Sequence, residues 1–300
     1  MNLHRAHDFR PRILASLSTL ILLGCASLAS KAHDSWFEPQ TGPRGERLLA
    51  LGTGNQFPVQ ETAIGREYLS VNGCEGTVPL LPLLPLLPLR YTDTALLMAV
   101  PAGATTCWLQ LQAFEVTVPP DTVPLYFKEI NASAEVRATW ARWQARGLPW
   151  RETYTKHARA LISDGPTADG ASKPMPSTNA NANASATTVS ALPGPSPLGM
   201  DLRLLPTRLP LRVGDSITVE VQRDGKPLPG QAIELRGDSS PLGIWRRSDA
   251  QGRFSVTLPL AGRWVLRGVD LRVSTNEPEA WDSRFITFNF DVSKALPGMK

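Results

Sequence analysis

Two of the four histidines lie at the very start of the chain; the other two are His33 and His157. His33 opens the segment His33-Asp34-Ser35-Trp36-Phe37-Glu38-Pro39. If proteolysis makes His33 the first residue, it presents two nitrogen donors, the α-amine and the imidazole. Such a pair chelates Ni(II), Co(II) or Cu(II), ions that favour nitrogen ligands. Asp34 and Glu38 would add carboxylate oxygens. A second imidazole could come only from His157; meeting His33, it would build a copper-type brace of two imidazoles and an amine. The plainer reading is that His33-Asp34 starts a strand whose Trp36 and Phe37 anchor the core. His157, among Tyr154, Lys156 and Arg159, then reads as a surface or internally satisfied histidine.

The chelate depends on where the precursor is cut. Arg5, Arg10 and Arg12 stand against Asp8, an apolar run follows from Ile13 to Leu28, and Ser30-Lys31-Ala32 is small at both positions a signal peptidase reads. Residues 1–32 are therefore expected to be a signal peptide, and the protein to be periplasmic. The apolar run is short and broken by Ser16, Ser18, Thr19 and Gly24, so no membrane span is expected after cleavage. A competing cut is visible at Leu22-Leu23-Gly24-Cys25, which resembles a lipobox. It would give a lipoprotein anchored through Cys25, with His33 internal and without a free amine.

The leader takes four of the 31 basic residues and one of the 27 acids, leaving 27 against 26. The net charge of +4 is thus mostly a leader effect and gives no ground for binding nucleic acid or an anionic membrane. Beyond Cys25 only Cys74 and Cys107 remain. In an oxidising compartment they are expected to form a disulfide; two buried free thiols are the alternative. The chain has no Gly-x-Ser-x-Gly, His-Glu-x-x-His or glycine-rich phosphate loop, and it reads as a non-enzyme. Trp140, Trp143 and Trp150 could line a ligand platform, but at helical spacing they fit a core.

These residues must be positioned by a mainly β chain of two sandwich-like domains. The first, 33–164, reads as strands at Arg47–Leu51, Glu67–Val71 (ending at an Asn72-Gly73 turn), Ala95–Val100 and Cys107–Gln112. The Leu-Leu-Pro repeats of 80–89 read as an extended loop. A helical hairpin is expected over 131–164, with Trp140 and Trp143 on one helix and Tyr154, Ala158, Leu161 and Ile162 on the next. Residues 165–198, centred on an Asn-Ala repeat, hold almost no large apolar side chain and read as a disordered linker. From 199 to 300, short alternating strands separated by turns such as Asp224-Gly225 read as a β-sandwich.

Two resemblances rest on these segments. "DGKPLPGQAIELR" and "SDAQGRFSVTLPLAGRWVLR" resemble transthyretin-like, carboxypeptidase-regulatory sandwiches. "AHDSWFEP", "LYFKEINAS" and "RETYTKHARALI", with the second-domain pattern, resemble the DUF4198 family. That resemblance implies a periplasmic component of a nickel or cobalt uptake system, delivering metal to an inner-membrane transporter. The chain departs from the family pattern at Gly54-Asn55-Gln56-Phe57, where relatives often carry a histidine. Two other readings stand beside it: an envelope interaction or scaffold module without metal, and a copper enzyme using the terminal brace.

Overall fold

The computed structural model describes residues 34–76, 85–162, 187–189, 196, 198–240 and 242–295. The leader, His33, the first Leu-Leu-Pro unit and nearly all of the expected linker lie outside the described residues. In the first half the order is β1 (Asp34–Thr41), β2 (Arg47–Gly54), β3 (Thr62–Ala63), β4 (Leu69–Gly76), β5 (Leu87–Tyr91), β6 (Leu96–Ala99), β7 (Ala104–Leu111) and β8 (Phe114–Val116). Helices α1 (Val123–Glu129) and α2 (Ala134–Ala145) then lead to β9 (Glu152–Leu161). The second half runs β10 (Thr187–Val189), β11 (Met200–Leu204), β12 (Thr207–Leu209), β13 (Ser216–Arg223), β14 (Lys226–Pro227) and β15 (Ala232–Gly237). It ends with β16 (Ile244–Arg247), β17 (Arg253–Thr257), β18 (Gly262–Val273) and β19 (Trp281–Val292).

The expected mainly β, sandwich-like class holds. β13 shows why its residues make a strand: Ile217, Val219 and Val221 are buried while Ser216, Thr218 and Glu220 turn outward, a period of two. Asp224 and Gly225 then both take positive φ, 52° and 70°, the left-handed pair a tight hairpin needs, and Arg223 is set opposite Lys226.

The central layer is one sheet in the order β16-β15-β18-β19-β9-β7-β4, with β8 also on β9. β9 lies parallel to β19 and antiparallel to β7. One sheet therefore draws strands from both sides of the expected linker. Its first face is covered by the sheet β1-β2-β6-β5, where Phe37, Leu49 and Leu51 meet Leu109, Ala158 and Ala160. The helices extend that layer, packing Trp140, Trp143 and Trp150 on Trp281 and Phe285. The second face is covered by β11, β13 and β17, where Leu202, Val219 and Phe254 meet Leu161, Ile286 and Phe288.

Three local expectations are corrected. Residues 152–161 are a strand, not the second helix of a hairpin. Its stretch from His157 to Ile162 is buried at every position, so no alternation survives there to reveal the strand. The helical pair is instead α1 and α2, one element earlier in the chain. Asn72-Gly73 is no turn: both lie inside β4, opposite Leu109 and Trp108. The last Leu-Leu-Pro residues enter β5, an edge strand among the described residues, where Pro88 is tolerated because one side of the strand has no described partner. Cys74 and Cys107 face each other across β4 and β7 and form the expected disulfide, with Cα atoms 4.0 Å apart. On the chain-entropy model its closed loop is worth about 3–4 kcal/mol. Among the described residues no helix is long and apolar enough to cross a membrane.

Candidate functional site

The start of β1 is firmly held. Trp36 and Phe37 are buried, and the Ser35 carbonyl accepts a hydrogen bond from the Thr287 hydroxyl of the central sheet at 2.7 Å. Asp34 is buried beside Arg267, its Oδ2 lying 3.0 Å from Nη1. The same guanidinium lies 3.5 Å from Glu234 Oε2 and donates to the Glu129 carbonyl. Lys156 sits in the same field: burial pulls its ammonium down to about 8, and the Asp34 charge opposes that shift. Glu38 is paired with Arg263. Burial pushes the Glu38 carboxyl up, and Arg263 works against it.

Both carboxylates expected to complete a metal site are thus engaged by arginines. They are also four residues apart on an extended strand, about 13 Å at roughly 3.3 Å per residue, too far to share one ion. His33 itself lies outside the described residues. Among the described residues no group of three or more His, Cys, Asp or Glu could hold a metal ion.

His157 lies elsewhere. Successive side chains of a strand point to opposite faces, so Lys156, which feels Asp34, and His157 look to opposite sides of the central sheet. The fold therefore turns His157 away from the described start of β1. The imidazole is 1% exposed, and Nδ1 is 2.8 Å from the Phe285 carbonyl. A carbonyl only accepts, so Nδ1 carries the proton and Nε2 a lone pair. Among the described residues the buried Nε2 has no hydrogen-bond partner. Burial pushes the imidazole pKa down to about 4; Arg284 and Arg223 push the same way, while the Phe285 bond and Asp201 oppose them. The ring is neutral at ordinary pH.

His157 is one of the residues around a cleft of about 540 Å³ over the ends of β9 and β19. The register sets Thr153 beside Asp282, Thr155 beside Arg284 and His157 beside Ile286, so the first two rows form a polar floor. Gln110 of β7 lies opposite His157 and joins them. This cleft was not foreseen. Its one sequence signal is the alternation Thr153-x-Thr155-x-His157, legible only once the segment is known to be a strand. The tryptophans fall in the core as expected, with Trp150 fully buried and 5.1 Å from Trp140.

Residues 30–269 match the family model described as Domain of unknown function (DUF4198). Neither a curated protein nor a solved structure matches the chain.

Proposed function

The chain belongs to the DUF4198 family, and from that premise we propose that it is an exported, non-catalytic carrier of a divalent transition metal, nickel or cobalt. The metal is held by the amine and imidazole of His33 at the origin of β1 and passed to an inner-membrane uptake system. The observation that carries this reading is the anchoring of β1 from its first described residue. A chelating terminus directly before Asp34 would be displayed from a fixed point of the sheet. The Cys74–Cys107 disulfide supports export to an oxidising periplasm.

With Asp34 and Glu38 given over to Arg267 and Arg263, the two nitrogens of His33 carry the binding, and other coordination positions stay open to water or to an acceptor protein. Such an incomplete set suits transfer better than storage. Calorimetric titration of the processed protein with NiCl2 or CoCl2 tests this. Saturable binding should vanish in His33→Ala, and when the terminal amine is acetylated. Asp34→Asn should leave it nearly unchanged. Binding that survives both losses at His33 removes the proposal.

A second reading, an envelope interaction module without metal, is favoured by the same arginine pairing of Asp34 and Glu38. It is the reading that stands if the processed wild-type protein binds neither ion. The orientation of His157, away from the described start of β1, does not favour the copper brace.

A further inference from the structure

β18 is longer than the strand that flanks it. β19 pairs with it over its whole length, Gly262 to Val273, whereas β15 pairs only with residues 264–267. Among the described residues no strand lies against the other edge of 268–273. The register fixes which backbone groups that edge shows. The Ser274 N–H donates to the Ala280 carbonyl, so the even-numbered residues of β18 turn their N–H and C=O groups to β19. The odd-numbered residues turn theirs outward: on the β15 side, the Arg263 carbonyl accepts from the Asp238 N–H. Leu271 and Val273 therefore aim their backbone groups away from β19, where β15 no longer runs alongside. Gln231 marks the place where the pairing stops. It is buried, and its Nε2 donates to the outward carbonyl of Val269 and to that of Ala232, both at 3.0 Å. A side-chain amide thus takes the rung that a backbone amide would fill. The next two outward residues have no such substitute among the described residues.

The space beside this edge is a cleft of about 440 Å³. Val269, Asp270, Leu271, Arg272 and Val273 all line it. Side chains of a strand alternate between its faces, so successive residues share one cleft when the cleft runs along the strand's edge. The turn from α1 into α2 and the turn at 228–232 supply the other walls. On the helical wall Ile130 and Val136 pack in one apolar cluster with Leu271 and Trp281, and Glu135 is its exposed charge. Beside the second turn stands Arg247, also exposed. Its guanidinium donates to the Gly230 carbonyl and, among the described residues, meets no carboxylate. Asp270 is already matched by Arg223 and Arg272.

We propose that this cleft binds an extended peptide of a partner protein, added as a short strand to the free edge of β18. The outward backbone groups of Leu271 and Val273 supply the rungs, and the walls set the sequence preference. Apolar peptide residues face Ile130 and Val136, and an acidic residue meets Arg247. Turns flank the edge on both sides, and Leu271 is only 6% exposed, so a single chain fits where the sheet of a second copy would not.

Fluorescence anisotropy on the full processed chain tests this. The probe is a labelled peptide of alternating valine and glutamate. The contrasts are a valine–lysine peptide and the first peptide with proline at its centre. The probe should bind saturably, and both contrasts about tenfold or more weaker. On occupancy the amides of Leu271 and Val273 should gain protection from hydrogen exchange, while those of Asp270 and Arg272, already turned to β19, stay as they were. Val273→Pro removes one outward N–H and no bond to β19, at an edge position where proline is tolerated. It should keep the wild-type melting temperature and lose affinity about tenfold. Arg247→Glu should reverse the preference between the glutamate and lysine peptides. Four results overturn the proposal. The first is no saturable binding of the probe, and the second is equal affinity for the proline-bearing peptide. The third is unchanged binding in both variants. The fourth is that the Leu271 and Val273 amides are already protected in the free protein, the mark of an edge taken by its own chain or a second copy. None of them bears on His33, so the metal reading stands or falls separately.

Discussion

His157 makes stability depend on pH in one direction. Its folded pKa, about 4, lies below the ordinary 6.5, so the unfolded chain takes up the proton first as pH falls. The stabilisation is whole above 6.5 and is lost progressively as pH drops through that window toward 4. A shift of this size corresponds to on the order of 3 kcal/mol. Urea melts across the window should show the loss in the wild type and a much flatter profile in His157→Phe. Equal slopes in both proteins would place the acid sensitivity elsewhere. Glu152 is the second telling residue. It is buried, and its carboxylate accepts from Tyr126 Oη at 2.9 Å, from Trp150 Nε1 at 2.8 Å and from the Ser283 hydroxyl. Burial raises its pKa, and these three donors pull it back. Glu152→Gln keeps the size but leaves a single acceptor oxygen where the three donors now share two. The variant should lose about 1–3 kcal/mol in denaturant unfolding without change of fold.

Among the elements, β9 is where pattern reading failed, and the reason is physical. Strands with one wet face advertise themselves: β13 alternates Ile217, Val219 and Val221 with polar neighbours, and Asp224-Gly225 marks its hairpin. β9 is covered on both faces over its second half. Its Tyr154, Ala158, Leu161 and Ile162 then fall at spacings that imitate a helix. Its parallel partner cannot be inferred from local sequence, since His157 and Phe285 are 128 residues apart. The same distance hid the cleft, which needs Gln110, His157, Gly199 and Arg284 from four separate segments. The cysteine pair, by contrast, followed from counting. A strand paired on both sides should exchange its amide hydrogens only when the whole sheet opens. Native-state exchange should therefore give amides of 154–160 the protection of global unfolding, while those of the edge strands β5 and β16 exchange sooner. Amides of 154–160 that exchange by local fraying would contradict the central place of β9.

At the scale of the whole molecule, composition divides the chain at the Asn-Ala segment, but hydrogen bonding does not. β9, from before that segment, lies between β7 and β19 in one sheet. Leu161 of β9 belongs to the same apolar cluster as Ile217, Val219 and Phe288. Arg159 crosses the same boundary. Its guanidinium is buried and reaches Asp201 with bonds of 2.8 and 2.7 Å, and the Glu75 carboxylate on its other side at 3.5 Å. A fragment of 198–300 would expose the β19 edge and leave Asp201 buried without its arginine. Breaking a buried pair in this way costs about 3–5 kcal/mol, a large part of the net stability of a domain. Neither 33–162 nor 198–300 should therefore fold when expressed alone. Mixed or co-expressed, the two pieces should reassemble into a complex with the wild-type near-ultraviolet circular dichroism and a single melting transition. Reassembly would show that the intervening segment acts as a tether and that the fold is one cooperative unit. A 198–300 fragment with a dispersed NMR spectrum and its own cooperative melt would instead make the shared sheet a docking of two independent domains.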